Sequence, residues 1–460
     1  MDLHINDLIE KRTGENFELH SRYMNHQFVK VLETIGFDKV YTRAMGQYLY
    51  DADDNRYLDL LSGFGVYLYG RNHPKIISAL KETLDSQLAN LVQMDCPLLA
   101  GLLAEALVKK TRAVPHLAHL SKVAFCNSGA EAVEVAVKFA RAATGRDRII
   151  YCKSAYHGLT NGALSLNGDK YFKKRFGSLL PECHEVPFDD LAALEAALHA
   201  NNTACFIVEP IQGKSLRVAS DGYFSEATRL CRKHGALLIM DEVQTGLGRT
   251  GKFFASEHWQ AEPDIITLSK GLSGGFIPVG AVVFRENVFK KVFDNVENAA
   301  VHMSTFAANN MAMAASLASL SVIDEENLVE KAAKNGERLI QKLRTRLGHH
   351  EFFKEVRGKG MMIGIELGEP RSLSRRATWH FIDKINKGLF CQMVIMPLLA
   401  KHRILTQVAG HDSYTVKLLP PLMITEEDIE WTVDAFDQVL AEVHRIAGPM
   451  WNLATNYASA

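Results

Sequence analysis

The feature of this sequence that most constrains its fold is an alternation of short apolar runs with amphipathic segments between about residues 120 and 285. Several of the runs are continuously apolar, which is typical of strands that are buried on both faces of a parallel sheet. The predicted strands are residues 123–125, 148–151, 205–208, 236–240, 265–268 and 279–284. We therefore predict an α/β fold in which helices sandwich a mostly parallel sheet, with ligands bound at the carboxyl ends of the strands.

At 460 residues the chain is longer than one hydrophobic core usually supports, so we expect a second domain. From about residue 310 onward, helical patterns flank strand-like runs, which predicts a smaller α+β domain. The helices of this part are predicted at 325–347, 376–387 and 426–445, and its strands at 361–367 and 415–419.

The N-terminal part of the chain is predicted to join the small domain. Residues 48–59 have the pattern of a hairpin with its turn at 53–55, and we place this hairpin with the C-terminal part. Residues 1–40 have a largely helical pattern. The predicted division is an N-terminal segment, a large domain and a C-terminal small domain, at 1–70, 71–306 and 307–460.

Composition argues against several classes of function. The formal net charge is −1, from 52 Lys and Arg against 53 Asp and Glu, so no charge excess favours nucleic acid or an anionic membrane. The first residues lack the pattern of a secretory signal, and no apolar run has the length of a membrane span. The seven cysteines are scattered, which argues against a zinc site. The doublet His349-His350 has no partner at ligand spacing, so it is predicted to be a solvated helix end rather than a metal site. We expect a cytoplasmic protein with a small-molecule partner and no metal site.

Two charged residues stand where buried strands are predicted to end. Asp241 follows the run 236–240, and a carboxylate there is costly to bury unless it is paired. A protonated pyridine nitrogen would be a fitting partner, and a structural salt bridge is the alternative. Lys270 follows the run 265–269, and a partly desolvated lysine has the lowered pKa that favours a Schiff base at neutral pH. Taken alone, a lysine after a strand is usually solvated.

A helix cap is predicted after the first strand of the large domain. The segment 127–132 joins that strand to a helical pattern, and Ser128 or Asn127 can cap the helix. The N–H groups of Gly129 and Ala130 would then face an anion such as a phosphate. The alternative is a simple cap in which the following acidic residue complements the helix dipole.

The run GLGRTG at 246–251 matches the G-x-G-x-x-G pattern of dinucleotide-binding proteins, but its context does not. Residues 241–245 separate it from the preceding strand, and no helical pattern follows it. No acidic residue ends a second strand about twenty positions further on. We therefore do not predict nicotinamide or flavin binding.

In this order, the segments resemble the class III aminotransferase family, which are pyridoxal-phosphate enzymes of fold type I. The resemblance runs from about Tyr48 to about Trp431, and its most specific pieces are DEVQTGLGRTG at 241–251, PDII at 263–266 and SKGLSGG at 269–275. It implies a seven-stranded, mostly parallel sheet in the large domain and a pyridoxal 5′-phosphate cofactor. It also implies transfer of an amino group from a small-molecule donor to a carbonyl acceptor.

The resemblance implies roles for individual residues. Lys270 would hold the cofactor as a Schiff base and then carry the proton at the substrate carbon, while Asp241 would keep the pyridine nitrogen protonated. Val243 and Tyr156 would pack on the two faces of the ring, and Gln244 would reach its phenolic oxygen. The other implied cofactor contacts are Ser128, Gly129 and Ala130 at the phosphate, with His157 and a supporting Glu209 nearby.

In this family a neighbouring subunit completes each site. The segment MSTF at 303–306 matches the one whose threonine, here Thr305, would cross to the partner's phosphate. The resemblance thus implies a homodimer with shared active sites, and neither nucleic acid nor a membrane as a partner.

Two positions depart from the family pattern. Members that act on amino acids often carry a glutamate just after E-P-I-Q-G, and an arginine four residues before the second proline of a C-terminal pair. Lys214 and Lys417 hold these positions here, and lysine cannot form the bidentate fork with which arginine grips an α-carboxylate. We therefore predict that the main substrate is an amine or aldehyde without an α-carboxylate, with apolar walls from Phe64 and Tyr67. The two lysines could instead recognise an anionic tail or point to solvent.

Other functions are compatible with the same fold. An ornithine or ω-amino-acid type of aminotransferase keeps the reaction and changes the substrate, whereas an aminomutase or a decarboxylase keeps the cofactor and changes the reaction. A non-enzymatic relative would keep only the fold, and the retention of Lys270, Asp241 and Gln244 argues against it.

Overall fold

The computed structural model of the protein describes residues 4–200, 202–385, 388–410 and 413–443. Its strands, β1 to β15, are Tyr41–Met45, Tyr48–Asp51, Arg56–Asp59, Leu120–Cys126, Arg148–Cys152, Cys183–Val186, Thr203–Val208, Leu237–Asp241, Ile265–Leu268, Gly280–Arg285, Phe353–Lys359, Met362–Leu367, Ile404–Leu405, Gln407–Val408 and Thr415–Leu418. Its α-helices, α1 to α17, are Ile5–Arg12, Asn16–Tyr23, His26–Thr34, Ser62–Gly65, Pro74–Asp85, Leu98–Arg112, Gly129–Thr144, Asn161–Ser165, Lys170–Lys173, Leu191–Leu198, Tyr223–His234, Glu286–Val292, Asn310–Glu325, Leu328–Leu347, Leu373–Ile385, Leu389–Ala400 and Glu426–Val443. Short 3₁₀ helices are Pro115–Leu117, Ala255–Trp259 and Lys270–Ser273.

A seven-stranded sheet in the order β4-β10-β9-β8-β7-β5-β6 forms the centre of the fold. Strands β5 to β9 run parallel to one another, and β10 is antiparallel to both β4 and β9. β4 therefore runs in the same direction as β9. All strands of this sheet except β10 thus have their carboxyl ends at the same edge, where ligands bind in open α/β sheets.

The central strands are buried on both faces, which explains why their sequences are apolar throughout. On β7, Phe206 faces one apolar cluster and its neighbour Cys205 faces the other, and both are fully buried. Helix α7 packs over the second cluster, where Phe139 and Phe284 stack with 4.9 Å between ring centroids. Helices α6, α10 and α11 pack into the first cluster. The predicted sandwich of helices around a mostly parallel sheet is confirmed.

Two further four-stranded sheets have the orders β1-β2-β3-β13 and β11-β12-β15-β14. The predicted hairpin consists of β2 and β3, and the side chain of Asp51 accepts hydrogen bonds from the backbone N–H groups of Asp53 and Asn55 in its turn. β3 pairs in parallel with β13. The N-terminal hairpin therefore shares a sheet with a strand from the C-terminal part.

The predicted elements agree with the structure in position, with small differences at their ends. The helices predicted at 325–347, 376–387 and 426–445 correspond to α14, α15 and α17. Residues 386, 387, 444 and 445 of those predictions, and residues 1–3 of the predicted helical N-terminus, lie outside the described residues. The sequence did not predict β6 or β11, because both strands are partly exposed and lack an apolar run.

Within the described part of the chain, no helix is long and apolar enough to cross a membrane.

The doublet His349-His350 follows α14, but only His349 is exposed. His350 is buried, and its Nε2 lies 2.7 Å from Oδ1 of Asp437 on α17. The prediction of a solvated helix end is therefore wrong for His350. The contact joins residues 87 positions apart, so no local spacing could reveal it.

The GLGRTG run forms a turn that is tied to the C-terminal part of the chain. Arg249 is fully buried and donates from Nη1 to the carbonyl oxygen of Met361 at 3.0 Å and to that of Pro420. Burial lowers the pKa of Arg249 to about 9. The run is followed by the 3₁₀ helix Ala255–Trp259. The GLGRTG run therefore has a structural role, since it connects the large domain to the C-terminal part of the chain.

A buried carboxylate joins the first and last parts of the chain. Asp428 is fully buried in the first turn of α17. It accepts hydrogen bonds from Nε2 of Gln47 and from the hydroxyl of Tyr48, each at 2.7 Å, and from the backbone N–H of Thr425 at 2.8 Å. Removing the carboxylate would leave these buried or partly buried donors without an acceptor.

We predict that Asp428→Ala lowers the free energy of unfolding by about 3 kcal/mol, because breaking a buried charged network leaves its partners unsatisfied. Urea unfolding followed by circular dichroism measures this change. The control is Glu427→Ala, which removes an exposed carboxylate from the same helical turn and should change the value by less than about 0.5 kcal/mol. Equal effects of the two substitutions would contradict this account.

Candidate active site

A cavity of about 420 Å³ opens at the carboxyl edge of the central sheet. The segments that follow β4, β5, β7, β8 and β9 converge on it, and β15 contributes from the C-terminal part. Most of the residues predicted for the site line this cavity, namely Phe64, Gly129, Ala130, Tyr156, His157, Glu209, Lys214, Asp241, Val243, Gln244, Lys270 and Lys417. The sheet topology thus collects in one place residues that are distant in sequence.

Asp241 ends β8, and its buried carboxylate is held by several donors. Oδ2 lies 2.6 Å from Nδ1 of His157. Oδ1 accepts from the hydroxyl of Thr267 at 3.0 Å and from the backbone N–H of Val243 at 3.1 Å. The buried charge is therefore paired, as its position at a strand end requires. The salt bridge that the sequence left as an alternative exists, and Asp241 also lines the cavity.

His157 is buried beside Asp241. Burial opposes its charged form, but the hydrogen bond to Asp241 and the negative charge of that carboxylate outweigh burial and raise the pKa of His157. Nε2 of His157 is buried and has no hydrogen-bond partner among the described residues. A buried polar atom without a partner indicates a place for a ligand atom or a water molecule.

Lys270 begins the 3₁₀ helix that follows β9, and its backbone φ is +44°. This left-handed conformation is unfavourable for a residue with a Cβ by roughly 1–3 kcal/mol, and such strain is concentrated at functional sites. Burial lowers the pKa of Lys270, although the carboxylates of Asp241 and Glu209 oppose the shift. The side chain therefore has an increased fraction of neutral, nucleophilic amine.

Helix α7 begins at the cavity. Ser128 is its N-cap, and Oγ of Ser128 accepts from the backbone N–H of Glu131 at 3.1 Å. Gly129 and Ala130 form the first turn, where backbone N–H groups have no partner within a helix, and both line the cavity. A Cβ on Gly129 would lie 2.8 Å from Cγ1 of Val243, so a larger residue does not fit. The predicted cap is confirmed, and the geometry of this turn suits an anion.

Glu209 and Gln244 support the walls of the cavity. The Glu209 carboxylate accepts from the backbone N–H of Tyr156 at 3.0 Å and from that of Gly213 at 2.8 Å, and burial raises the pKa of Glu209. Gln244 donates from Nε2 to the carbonyl oxygen of Phe64 at 3.0 Å. Oε1 of Gln244 is buried and finds no partner in the described part of the chain, so it retains an acceptor for a ligand.

Two further lysines reach the cavity. Lys417 on β15 is buried and donates from Nζ to the carbonyl oxygen of Gly213 at 2.8 Å, and burial lowers the pKa of Lys417 to about 7. Nζ of Lys214 lies 4.9 Å from the ring centroids of both Tyr156 and Phe172, and burial lowers its pKa as well. No arginine is found among the described residues that line the cavity.

Three of the predicted site residues lie outside the lining of the cavity. Ser128 does not line the cavity, but its side chain caps helix α7, whose first turn does. The ring of Tyr67 lies against Arg71, whose guanidinium carbon is 4.0 Å from the ring centroid. Thr305 is exposed in the turn that precedes α13. Of the two aromatic residues predicted as apolar walls, only Phe64 lines the cavity.

Two residues that shape the site were not predicted from the sequence. Thr267 donates to Asp241 from the neighbouring strand, and a lone polar residue within the apolar run of β9 was a signal that could have found it. Phe172 on the short helix α9 forms part of the aromatic surface under Lys214. No local signal marked Phe172, because its contact depends on tertiary packing.

Comparisons with known proteins agree on one family. The profile of the Aminotransferase class-III family matches residues 33–440. Aminotransferase PigE of Serratia sp. (strain ATCC 39006) is 35% identical, over 93% of this chain and 54% of PigE, so the chain spans about half the length of that relative. Ornithine aminotransferase of Bacillus cereus (strain 03BB102) is 36% identical, over 87% of this chain and 94% of that protein.

Solved structures give the same result. An ornithine aminotransferase from Toxoplasma gondii, with partial occupancy of pyridoxal phosphate at its active site, superposes with a TM-score of 0.83 and 28% identity, covering 97% of this chain and 99% of that chain. An amine transaminase from an uncultivated Pseudomonas species superposes with a TM-score of 0.76 and 28% identity, covering 88% of this chain and 95% of that chain.

The raised pKa of His157 predicts a pH-dependent contribution to stability. Because the folded-state pKa lies above that of an unfolded histidine, the stabilisation is fully present below about pH 6.5 and is lost as the pH rises through the folded-state pKa. We expect His157→Leu to lower the free energy of unfolding by about 3 kcal/mol at pH 6 and by less at pH 9. Urea unfolding at both pH values measures the difference.

The matched control for this prediction is His20→Leu, which removes an exposed histidine of α2. It should change stability by less than about 0.5 kcal/mol at either pH. A His157→Leu effect that grows toward pH 9 would contradict the assigned charge of the His157–Asp241 pair.

Proposed function

The chain belongs to the class III aminotransferase family and is a pyridoxal-phosphate-dependent aminotransferase, and we propose that its main substrate is an amine, aldehyde or ketone without an α-carboxylate. The amino group would be exchanged with a common donor such as glutamate or alanine. The observation that carries the proposal is the substrate side of the cavity, where the described lining residues include lysines and no arginine.

The residues of the cavity fit the cofactor. Pyridoxal phosphate, when bound, supplies an electron sink for bond changes at the substrate carbon. The first turn of α7, with Gly129 and Ala130, offers N–H groups to a phosphate. Nε2 of His157 and Oε1 of Gln244 are buried polar atoms without a partner in the described residues, which supports the presence of a polar ligand here.

Asp241 and Lys270 would carry the chemistry. Asp241 lies in hydrogen-bond contact with His157 and Thr267 and has further lone pairs, so it would accept a hydrogen bond from a protonated pyridine nitrogen. Lys270 would attach the cofactor through its ε-amine and then move a proton at the substrate carbon. The lowered pKa of Lys270 supports both roles, since each needs a neutral amine. Val243 and Tyr156 would lie against the ring, with Glu209 holding the backbone of Tyr156 in place.

The substrate preference follows from the two lysines. Lys417 donates to the carbonyl oxygen of Gly213, so its ammonium is already engaged in a backbone contact. A single ammonium also lacks the two parallel donors with which a guanidinium recognises a carboxylate. Phe64 and Leu159 are exposed apolar side chains that line the same cavity, which supports an apolar substrate group.

A homodimer with shared active sites is part of the proposal. Thr305 is exposed and lies outside the cavity of its own chain, which is the arrangement required if it contacts a partner's phosphate. The flanking Met303 and Phe306 are each 60% exposed, and large apolar side chains at this exposure favour a protein contact.

An ornithine-type aminotransferase is the second candidate, and the identity of 36% to the Bacillus cereus enzyme favours it. The two candidates differ in whether the main substrate carries an α-carboxylate. The lysines at 214 and 417 argue against the ornithine type, since they replace the acidic and guanidinium groups that the family uses with amino acids.

A steady-state panel of amines and aldehydes against ornithine tests the proposal. We expect kcat/KM for the best substrate without an α-carboxylate to exceed that for ornithine by about 10- to 100-fold, because a lost bidentate charged contact is worth roughly 1.5–3 kcal/mol. Lys270→Ala serves as the inactive control. Preference for ornithine would contradict the substrate assignment, and formation of product without a keto acid from the donor would contradict transamination.

A further inference from the structure

Three lysine side chains line the cavity, and two of them already have an assigned contact or role. Lys270 is assigned to the cofactor under the proposed function, on which the present inference rests. Lys417 donates to the carbonyl oxygen of Gly213 at 2.8 Å. Lys214 also lines the cavity, but its Nζ has no hydrogen bond or ion pair among the described residues. Lys214 is therefore the cation that is available to a ligand.

The main chain around Lys214 is fixed from the C-terminal part of the protein. Lys417 binds the carbonyl oxygen of the preceding residue, Gly213. Arg357 donates from Nη2 to the carbonyl oxygen of the following residue, Ser215, at 2.8 Å. A Cβ on Gly410 would lie 2.8 Å from the carbonyl oxygen of Lys214, so this side is closely packed as well. Movement at this position is thus confined to the lysine side chain.

The Lys214 side chain rests on an aromatic surface. Its Nζ lies 4.9 Å from the ring centroids of Tyr156 and Phe172, a distance at which an ammonium is attracted to the ring faces. Burial lowers the pKa of Lys214, because nearby negative charges do not fully offset the loss of water around its ammonium group. A carboxylate in the cavity would provide a stronger, charge-assisted hydrogen bond than the ring faces do.

We propose that Lys214 binds the carboxylate of the amino donor and returns to the faces of Tyr156 and Phe172 when a substrate without a carboxylate occupies the cavity. One cavity must accept a charged donor and an uncharged partner in turn, and an unpaired buried charge is unfavourable in either case. With the donor bound, the carboxylate and the ammonium compensate each other. With the uncharged partner bound, the two rings cover the ammonium.

The test compares a donor with and without a carboxylate in Lys214→Met, which keeps the length of the side chain and removes its charge. The carboxylate donor is L-alanine or L-glutamate, whichever the wild-type holoenzyme uses faster, and the other donor is 2-aminopropane. We expect the ratio of kcat/KM for the carboxylate donor to that for 2-aminopropane to fall about 10- to 100-fold. Lys214→Arg should return the ratio at least to about the wild-type value, since it restores a cation that can bind a carboxylate.

A binding measurement separates recognition from turnover. Glutarate has two carboxylates and no amine, so it cannot react, and its binding can be followed by the absorbance of the bound cofactor. Its Kd should rise about 10-fold or more in Lys214→Met and in a second neutral variant, Lys214→Gln. Lys170→Met is the matched control, because it removes an exposed lysine of α9 outside the cavity, and it should leave both measurements unchanged.

The outcomes separate this assignment from the proposed function. An unchanged ratio or an unchanged Kd for glutarate, with normal turnover by the wild-type enzyme, would overturn the assignment of Lys214 alone. An equal loss with both donors would also overturn it, because a carboxylate site must distinguish them. A wild-type enzyme that transfers no amino group from any of these donors would overturn the proposed function and the assignment of Lys214 with it.

Discussion

The site depends on the buried pair of Asp241 and His157. Asp241 ends the central strand β8, and its carboxylate is buried at the carboxyl edge of the sheet. Pairing with His157 holds the loop after β5 in place, and pairing with Thr267 links the carboxylate to β9, three residues before Lys270. The carboxylate of Asp241 must be paired because it is buried, and this pairing holds the end of β8, the loop after β5 and β9 together beside Lys270.

The two sides of the cavity are built by different parts of the chain. The central sheet and α7 supply the proposed cofactor side, with Asp241, Lys270 and Gly129. The proposed substrate side depends on the C-terminal strands, because Lys417 on β15 and Arg357 on β11 hold the backbone on either side of Lys214. A change in the C-terminal part can thus alter substrate preference while the buried pair at β8 is retained.

Much of this arrangement could be predicted from the sequence, and the exceptions have physical reasons. Buried strands have apolar sequences, so the central strands could be predicted from their apolar runs. The charged residues at the ends of these strands could be recognised because they interrupt the runs. Edge strand β6 was missed because a half-exposed strand has no such pattern. Contacts across long sequence distances, such as that of Phe172 with Lys214 and that of His350 with Asp437, have no local signal. Tyr67 was expected in the cavity, but it packs against Arg71.

The central claim is that, of the three lysines in the cavity, Lys270 is the one that carries the cofactor. It is tested most directly by incubating the protein with pyridoxal phosphate, reducing the covalent linkage with borohydride and locating the modified lysine by peptide mass spectrometry. The strained backbone of Lys270, its lowered pKa and its position beside the Asp241 pair predict that the modification lies on the peptide that contains Lys270. Modification of Lys214 or Lys417 in its place would contradict the account.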